Sequence, residues 1–166
     1  MFVLGIDPGL SRCGYGCVEA AGRRGRAVAA GVLRTPTDLA LPERLAMLDA
    51  DLRSLLADLR PQAVAVERLF FQVNARTAMA VGQASGLVLA AAAGAGCEVA
   101  QYTPNEVKQA VAGWGAAPKE QVIRMVQSLL ELPAPPRPAD AADALALALC
   151  HIAMAPLRAQ LARARR

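Results

Sequence analysis

Four carboxylates in this 166-residue chain stand where carboxylates are costly. Asp7 closes the mostly apolar run Phe2-Val3-Leu4-Gly5-Ile6, and Glu67 closes a second run, Ala63-Val64-Ala65-Val66, by the same pattern. A charge at the end of a buried strand has to be solvated, paired or bound to a cation. Asp140 and Asp143 stand three residues apart at the start of an apolar helical stretch, so they share one helix face with like charges adjacent. Three of the four also have a modest local explanation. Asp7-Pro8-Gly9 is turn chemistry, with Pro pre-setting φ and Gly accepting positive φ. Asp140 can cap a helix, and an acid in the first turn interacts favourably with the helix dipole. One divalent-cation site accounts for all four together, because Mg²⁺ and Mn²⁺ prefer carboxylate and water oxygens. Two such ions about 4 Å apart activate a water and stabilise the leaving oxygen of a phosphodiester. The lone histidine, His151, has no suitable neighbour for a Ser–His or Cys–His nucleophile and reads as packed or surface.

The elements that must carry these groups are legible from periodicity. Residues 2–7, about 13–20 and 27–34 read as three strands of an antiparallel meander, broken at short Gly- or Arg-rich turns. Leu45, Leu48, Leu52, Leu55, Leu56 and Leu59 recur at helical spacing, which predicts an amphipathic helix over 41–59. A strand over 62–67, a small-residue helix over 75–93 and a strand over 97–102 follow. Helices over about 104–112 and 118–131, the Pro-rich connector 132–138 and an Ala/Leu-rich helix over 140–155 complete the order βββαβαβααα. Three consecutive strands followed by strand–helix alternation predict an α/β fold with a mixed five-stranded sheet and helices on both faces. One domain over 1–156 is expected, with residues 157–166 as a basic tail, either a frayed helix or disordered.

Composition narrows the class. No run of eighteen apolar residues lacks a polar break, and the N-terminus shows no basic region ahead of an apolar core, so no membrane span or secretory signal is expected and the cytoplasm is the expected location. Cys13, Cys17, Cys97 and Cys150 show no zinc spacing; Cys13 and Cys17, four apart in a strand, read as small buried hydrophobes. The net charge is +4, and Arg158, Arg163, Arg165 and Arg166 account for the excess. Carboxylates sequestered by metal would leave the remaining surface net basic, as a nucleic-acid partner requires. Lys108 and Lys119 are the only lysines in a chain that otherwise uses arginine.

The stretches "GIDPGLSRCGYG", "AVERLFFQVNARTAMAVGQASG", "VKQAVAGWGAAPKEQVIRMV" and "DAADALALALCH" resemble, in order and spacing, the successive motifs of the RuvC Holliday-junction resolvases within the ribonuclease H-like superfamily. The likeness runs from Phe2 to about Ala155. It implies a ribonuclease H-like fold and a metal-dependent endodeoxyribonuclease that resolves four-way DNA junctions by paired nicks, leaving 5′-phosphate and 3′-hydroxyl ends. Asp7, Glu67, Asp140 and Asp143 become the catalytic metal ligands for two Mg²⁺ or Mn²⁺ ions. Lys108 and Lys119 become catalytic and DNA-contacting cations near the scissile phosphate. Phe70 matches the aromatic that stacks at the crossover, with Phe71 beside it; Arg68, Asn74 and Arg76 are further DNA-contact candidates. The likeness also implies a homodimer, for which the 75–93 helix with Ala75, Ala78, Ala80, Ala84, Gly86 and Ala90 offers a close-packing face, and work alongside the RuvA–RuvB branch-migration complex. Ala80 and Ser85 stand where relatives often carry Lys and Arg. The alternatives are a ribonuclease H or RNA-processing nuclease of the same superfamily, and a fragment of an actin-like ATPase or phosphotransferase, whose first strand also carries G-I-D-x-G.

Overall fold

The computed structural model describes residues 1–21, 24–68 and 75–164. Strands β1 (Phe2–Asp7), β2 (Arg12–Ala21) and β3 (Arg24–Arg34) form the meander, followed by α1 (Leu41–Leu59), β4 (Ala63–Glu67), α2 (Ala75–Gly94) and β5 (Glu98–Tyr102). Helices α3 (Pro104–Ala112), α4 (Lys119–Leu129) and α5 (Ala139–Ala164) complete the chain. The sheet order is β3-β2-β1-β4-β5; β1 pairs antiparallel with β2 and parallel with β4, and β4 pairs parallel with β5. The expected element order and mixed sheet are observed.

Alternation along the strands splits the core between two faces. Leu4, Ile6, Cys13, Cys17, Val64 and Val66 point toward α1 and α2, meeting Leu48, Leu52, Leu56, Val88 and Ala92. Val3, Val18, Ala63, Ala65 and Ala100 point the other way, against Val107, Val126, Leu145 and Ala148 of α3, α4 and α5. Cys13 and Cys17 are fully buried free thiols, as their spacing predicts. Ala84, expected on a dimer face, is buried against the sheet, while Met79, Gly86 and Ala90 of the same helix face outward.

The last helix passes through Pro156 to Ala164, the helical one of the two states expected for the tail. Proline in a helix removes one N–H, but Arg158 on the following turn is tied back to Glu98 of β5 at 3.6 Å and lies over the Tyr102 ring. Residues 139–158 are as long and apolar as a membrane-crossing helix, yet more than half of that segment is buried in the protein, where α5 covers the sheet. Its apolarity is that of a core element.

At Gly5, Gly14 and Gly16 no side chain of β1 or β2 stands between the strand and α5. A Cβ on Gly5 would stand 1.8 Å from the Ala144 carbonyl oxygen, one on Gly14 2.2 Å from the Asp140 carbonyl oxygen, and one on Gly16 2.7 Å from Leu145 Cγ. The three glycines form a track along which the first two turns of α5 rest on bare backbone. A methyl group at Gly5 or Gly14 must push the helix out, because the obstructing atom is backbone and cannot rotate away. Gly5→Ala and Gly14→Ala are each expected to lower unfolding stability by about 2 kcal/mol or more, measured by urea denaturation. Wild-type stability in both variants would show that α5 is not seated on this track.

Candidate active site

The carboxyl ends of β1 and β4 lie side by side in parallel register, with Ile6 opposite Val66, so Asp7 and Glu67 emerge at the same edge of the sheet. β1 is also where the antiparallel meander gives way to the parallel half, the place where open α/β sheets form ligand crevices. Asp7 pairs with Gly14 across the β1–β2 ladder, and Gly14 is the residue under Asp140. The glycine track therefore brings the N-terminus of α5 over the end of β1. Asp143, one turn along, faces the same cleft.

That cleft holds about 230 Å³ and is lined by Asp7, Glu67, Asp143, Lys108 and Lys119, with Pro104, Val107, Val122 and Leu147 as an apolar wall. Asp140 lies at its margin, where it is gripped by Arg12. The Arg12 guanidinium donates from Nε at 2.9 Å and from Nη2, both to the same carboxylate oxygen. Lys119 Nζ donates to Asp143 at 2.7 Å, and this contact holds the lysine pKa above its ordinary value. Lys119 is the first residue of α4, which starts after Pro118; Lys108 sits on α3, whose start is fixed by reciprocal Thr103–Glu106 capping bonds of 3.1 and 2.7 Å.

The electrostatics are those of a site short of positive charge. Burial, then repulsion from Glu67, Asp143 and Asp140, pushes the Asp7 carboxyl up to about 7, and in its protonated form it hydrogen-bonds Glu67. Glu67 is raised as well, chiefly by burial. An all-oxygen donor set of this kind suits a hard divalent cation. As they stand, however, no three of the Asp, Glu, His or Cys side chains among the described residues converge closely enough to hold one. Asp140 and Asp143 each spend an oxygen on a cationic side chain, Arg12 and Lys119.

All four expected carboxylates and both lysines are thus brought to one cleft or its rim. Arg68 follows Glu67, is exposed, and lies outside the cleft lining; its backbone N–H donates to the Tyr102 carbonyl at 2.7 Å. Phe70, Phe71 and Asn74 lie outside the described residues, and of Arg76 only the backbone, in the first turn of α2, is described. Ala80 is half-buried and Ser85 buried, so neither presents the cationic side chain common in relatives. Arg12 was not legible from sequence spacing, since its partner is 128 residues away. His151 is buried with Nδ1 2.9 Å from the Tyr102 hydroxyl, and burial holds its pKa below the ordinary value. It belongs to the core, away from the cleft.

Comparison with known proteins finds likenesses of both sequence and fold. The sequence model of the family described as "Crossover junction endodeoxyribonuclease RuvC" matches residues 3–151. Proteins of that description from Moorella thermoacetica and Salinispora arenicola are 56% and 55% identical to this chain, over 95% of both chains in the first case and over 99% of this chain and 94% of the relative in the second. The structure of Thermus thermophilus RuvC in complex with Holliday junction substrate superposes with a TM-score of 0.91 at 43% identity, covering 95% of this chain and 96% of that one.

The raised Asp7 pKa has a consequence for stability. Ionising Asp7 is harder in the folded protein than in the unfolded chain, so its contribution is fully present below about pH 4 and is lost as pH rises toward about 7. Asparagine in its place keeps a donor toward Glu67 and removes the charge. In metal-free buffer at pH 7.5, Asp7→Asn is expected to melt at least about 3 °C above wild type, with the gap closing near pH 4, as followed by calorimetry. An Asp7→Asn protein that melts lower at pH 7.5 would show that the carboxylates do not repel one another there.

Proposed function

The chain belongs to the RuvC family of crossover junction endodeoxyribonucleases, and on that premise we propose how its own residues cut DNA. It is a DNA endonuclease that resolves Holliday junctions, which sets aside both the RNA-processing nuclease and the actin-like fragment. The family is metal-dependent. The observation that supports the site assignment is that Asp7, Glu67 and Asp143 line one cleft with two lysines, while Asp140 lies near enough to raise the Asp7 pKa.

We assign Asp7, Glu67, Asp140 and Asp143 as the ligands of two Mg²⁺ or Mn²⁺ ions. Ions held there would supply Lewis-acid activation of a water and charge neutralisation at the leaving 3′ oxygen. Asp7 and Glu67 are the rigid half of the donor set, because each ends a buried strand and has little freedom. Asp143 and Asp140 are the adjustable half, because each must trade a protein cation for a metal. Lys119, held cationic by its setting, and Lys108 on the opposite helix place positive charge where negative charge grows on the phosphoryl oxygens. The apolar wall of Val107, Val122 and Leu147 limits water on the far side of the cleft and so strengthens these charge interactions.

A four-way junction has two-fold symmetry and needs two nicks, which favours a C2 homodimer with one cleft per subunit. The outward Met79, Gly86 and Ala90 of α2 support that helix as the contact, in place of the buried Ala84. Phe70, with Phe71, is the proposed stacking residue at the crossover, and Arg68, Asn74 and Arg76 the proposed backbone contacts. By family likeness the protein would act in the cytoplasm with the RuvA–RuvB branch-migration complex.

The test is cleavage and binding of a mobile four-way junction, measured separately. Asp7→Asn, Glu67→Gln, Asp140→Asn and Asp143→Asn are each expected to abolish nicking while junction binding, measured by gel shift in chelator, stays within about three-fold of wild type. Lys108→Ala and Lys119→Ala should lower the single-turnover rate at saturating enzyme by about 100-fold or more, with smaller losses in affinity. Near-wild-type nicking by Asp7→Asn overturns the metal assignment. Full rate restored at high enzyme concentration would make the lysines phosphate anchors only.

A further inference from the structure

The loop between α3 and α4 carries the chain's single tryptophan, Trp114, and nearly half of its surface is exposed. An indole offers a large apolar area that is ordinarily buried. Here it is held out in a defined pose. Gly113 ends α3 with φ of 85°, and Gly115 follows, where a Cβ would stand 3.5 Å from the Asn105 carbonyl oxygen of α3. The Trp114 carbonyl accepts from Ala117 N–H at 3.3 Å, and the indole Nε1–H donates to Gln121 Oε1 at 3.2 Å. The ring's one donor is therefore satisfied inside the protein, and what it offers outward is its π surface.

Gln121 stands two residues after Lys119 in the first turn of α4, about 5–6 Å away between Cα atoms by helix geometry. Lys119 lines the catalytic cleft, and the other end of the loop leads into α3, which brings Lys108 to the same cleft. The tryptophan is thus anchored to the helical turn that presents a cation to the scissile phosphate. A strand that runs from Lys119 toward this loop would reach it within its next few nucleotides, since nucleotides advance about 3.4 Å each along a duplex.

We propose that Trp114 is a DNA-contact residue that stacks on a base or sugar of the substrate strand a few nucleotides from the cleavage point. This rests on the nuclease reading of the cleft. It adds an aromatic contact on the loop between α3 and α4 to the one proposed for Phe70. Stacking tolerates any base, so the contact would add affinity without fixing a cleavage sequence.

Because Trp114 is the only tryptophan, its own emission reports the contact. An immobile four-way junction with a fluorescein-labelled arm is titrated against the protein in chelator, with anisotropy of the label and tryptophan emission read in parallel. Saturation by anisotropy is expected to coincide with quenching of tryptophan emission and protection from acrylamide. Trp114→Phe should bind the junction within about two-fold of wild type, and Trp114→Ala at least about five-fold more weakly, with unchanged melting temperature. Saturating anisotropy with unchanged emission and unchanged acrylamide access would overturn the proposal, as would wild-type affinity in Trp114→Ala. Absence of any anisotropy change in wild type would fell the nuclease reading and this contact with it.

Discussion

Helix α5 rests on bare backbone, and the site depends on that contact. Asp7 is fixed by β1, but Asp140 and Asp143 reach it only because Gly5, Gly14 and Gly16 let the helix approach without an intervening layer of side chains. Typical helix-on-sheet packing keeps side chains between the two layers, which would carry the α5 carboxylates several ångströms from the strand end. The glycines weaken β1 and β2 as strands, since glycine packs nothing and loses more entropy on folding. The flanking Val3, Leu4 and Ile6, buried to 1% or less exposure, offset that loss.

The far end of α5 is pinned as well. His151 and Tyr102 share a buried hydrogen bond, and Arg158 reaches both Glu98 and the face of Tyr102. Tyr102 pairs with Glu67 across the β4–β5 ladder, so this anchor and the catalytic edge belong to one rigid block. A helix held at both ends can keep two acids in place against their mutual repulsion with Asp7. The burial of His151 in neutral form follows from this role and not from chemistry at the cleft.

Repulsion among the carboxylates is the functional tension of the fold. The protein tolerates it by a raised Asp7 pKa and by lending Arg12 and Lys119 to Asp140 and Asp143. Both ion pairs are partly exposed, where such pairs contribute modestly and can be exchanged. A cation entering the cleft competes with side chains that are weakly held, while the two strand-end carboxylates stay where they are.

Sequence by itself determined the elements and the chemistry on them. The leucine spacing of α1, the apolar runs ending in Asp7 and Glu67, and the paired acids opening α5 are local patterns, and local patterns survive without knowledge of partners. The motif order identified the family for the same reason. What sequence left open was set by contacts between residues far apart in the chain. The role of Gly14 as a seat for Asp140, the hold of Arg12 on a carboxylate 128 residues away, and the inward turn of Ala84 each depend on which surfaces meet. So does the path of α5 beyond Pro156, where the sequence left a frayed helix or disorder open and the contacts of Arg158 with β5 sustain the helix. Whether a small residue is a gap, a seat or a packing contact is a property of the neighbour, and only the folded chain supplies the neighbour.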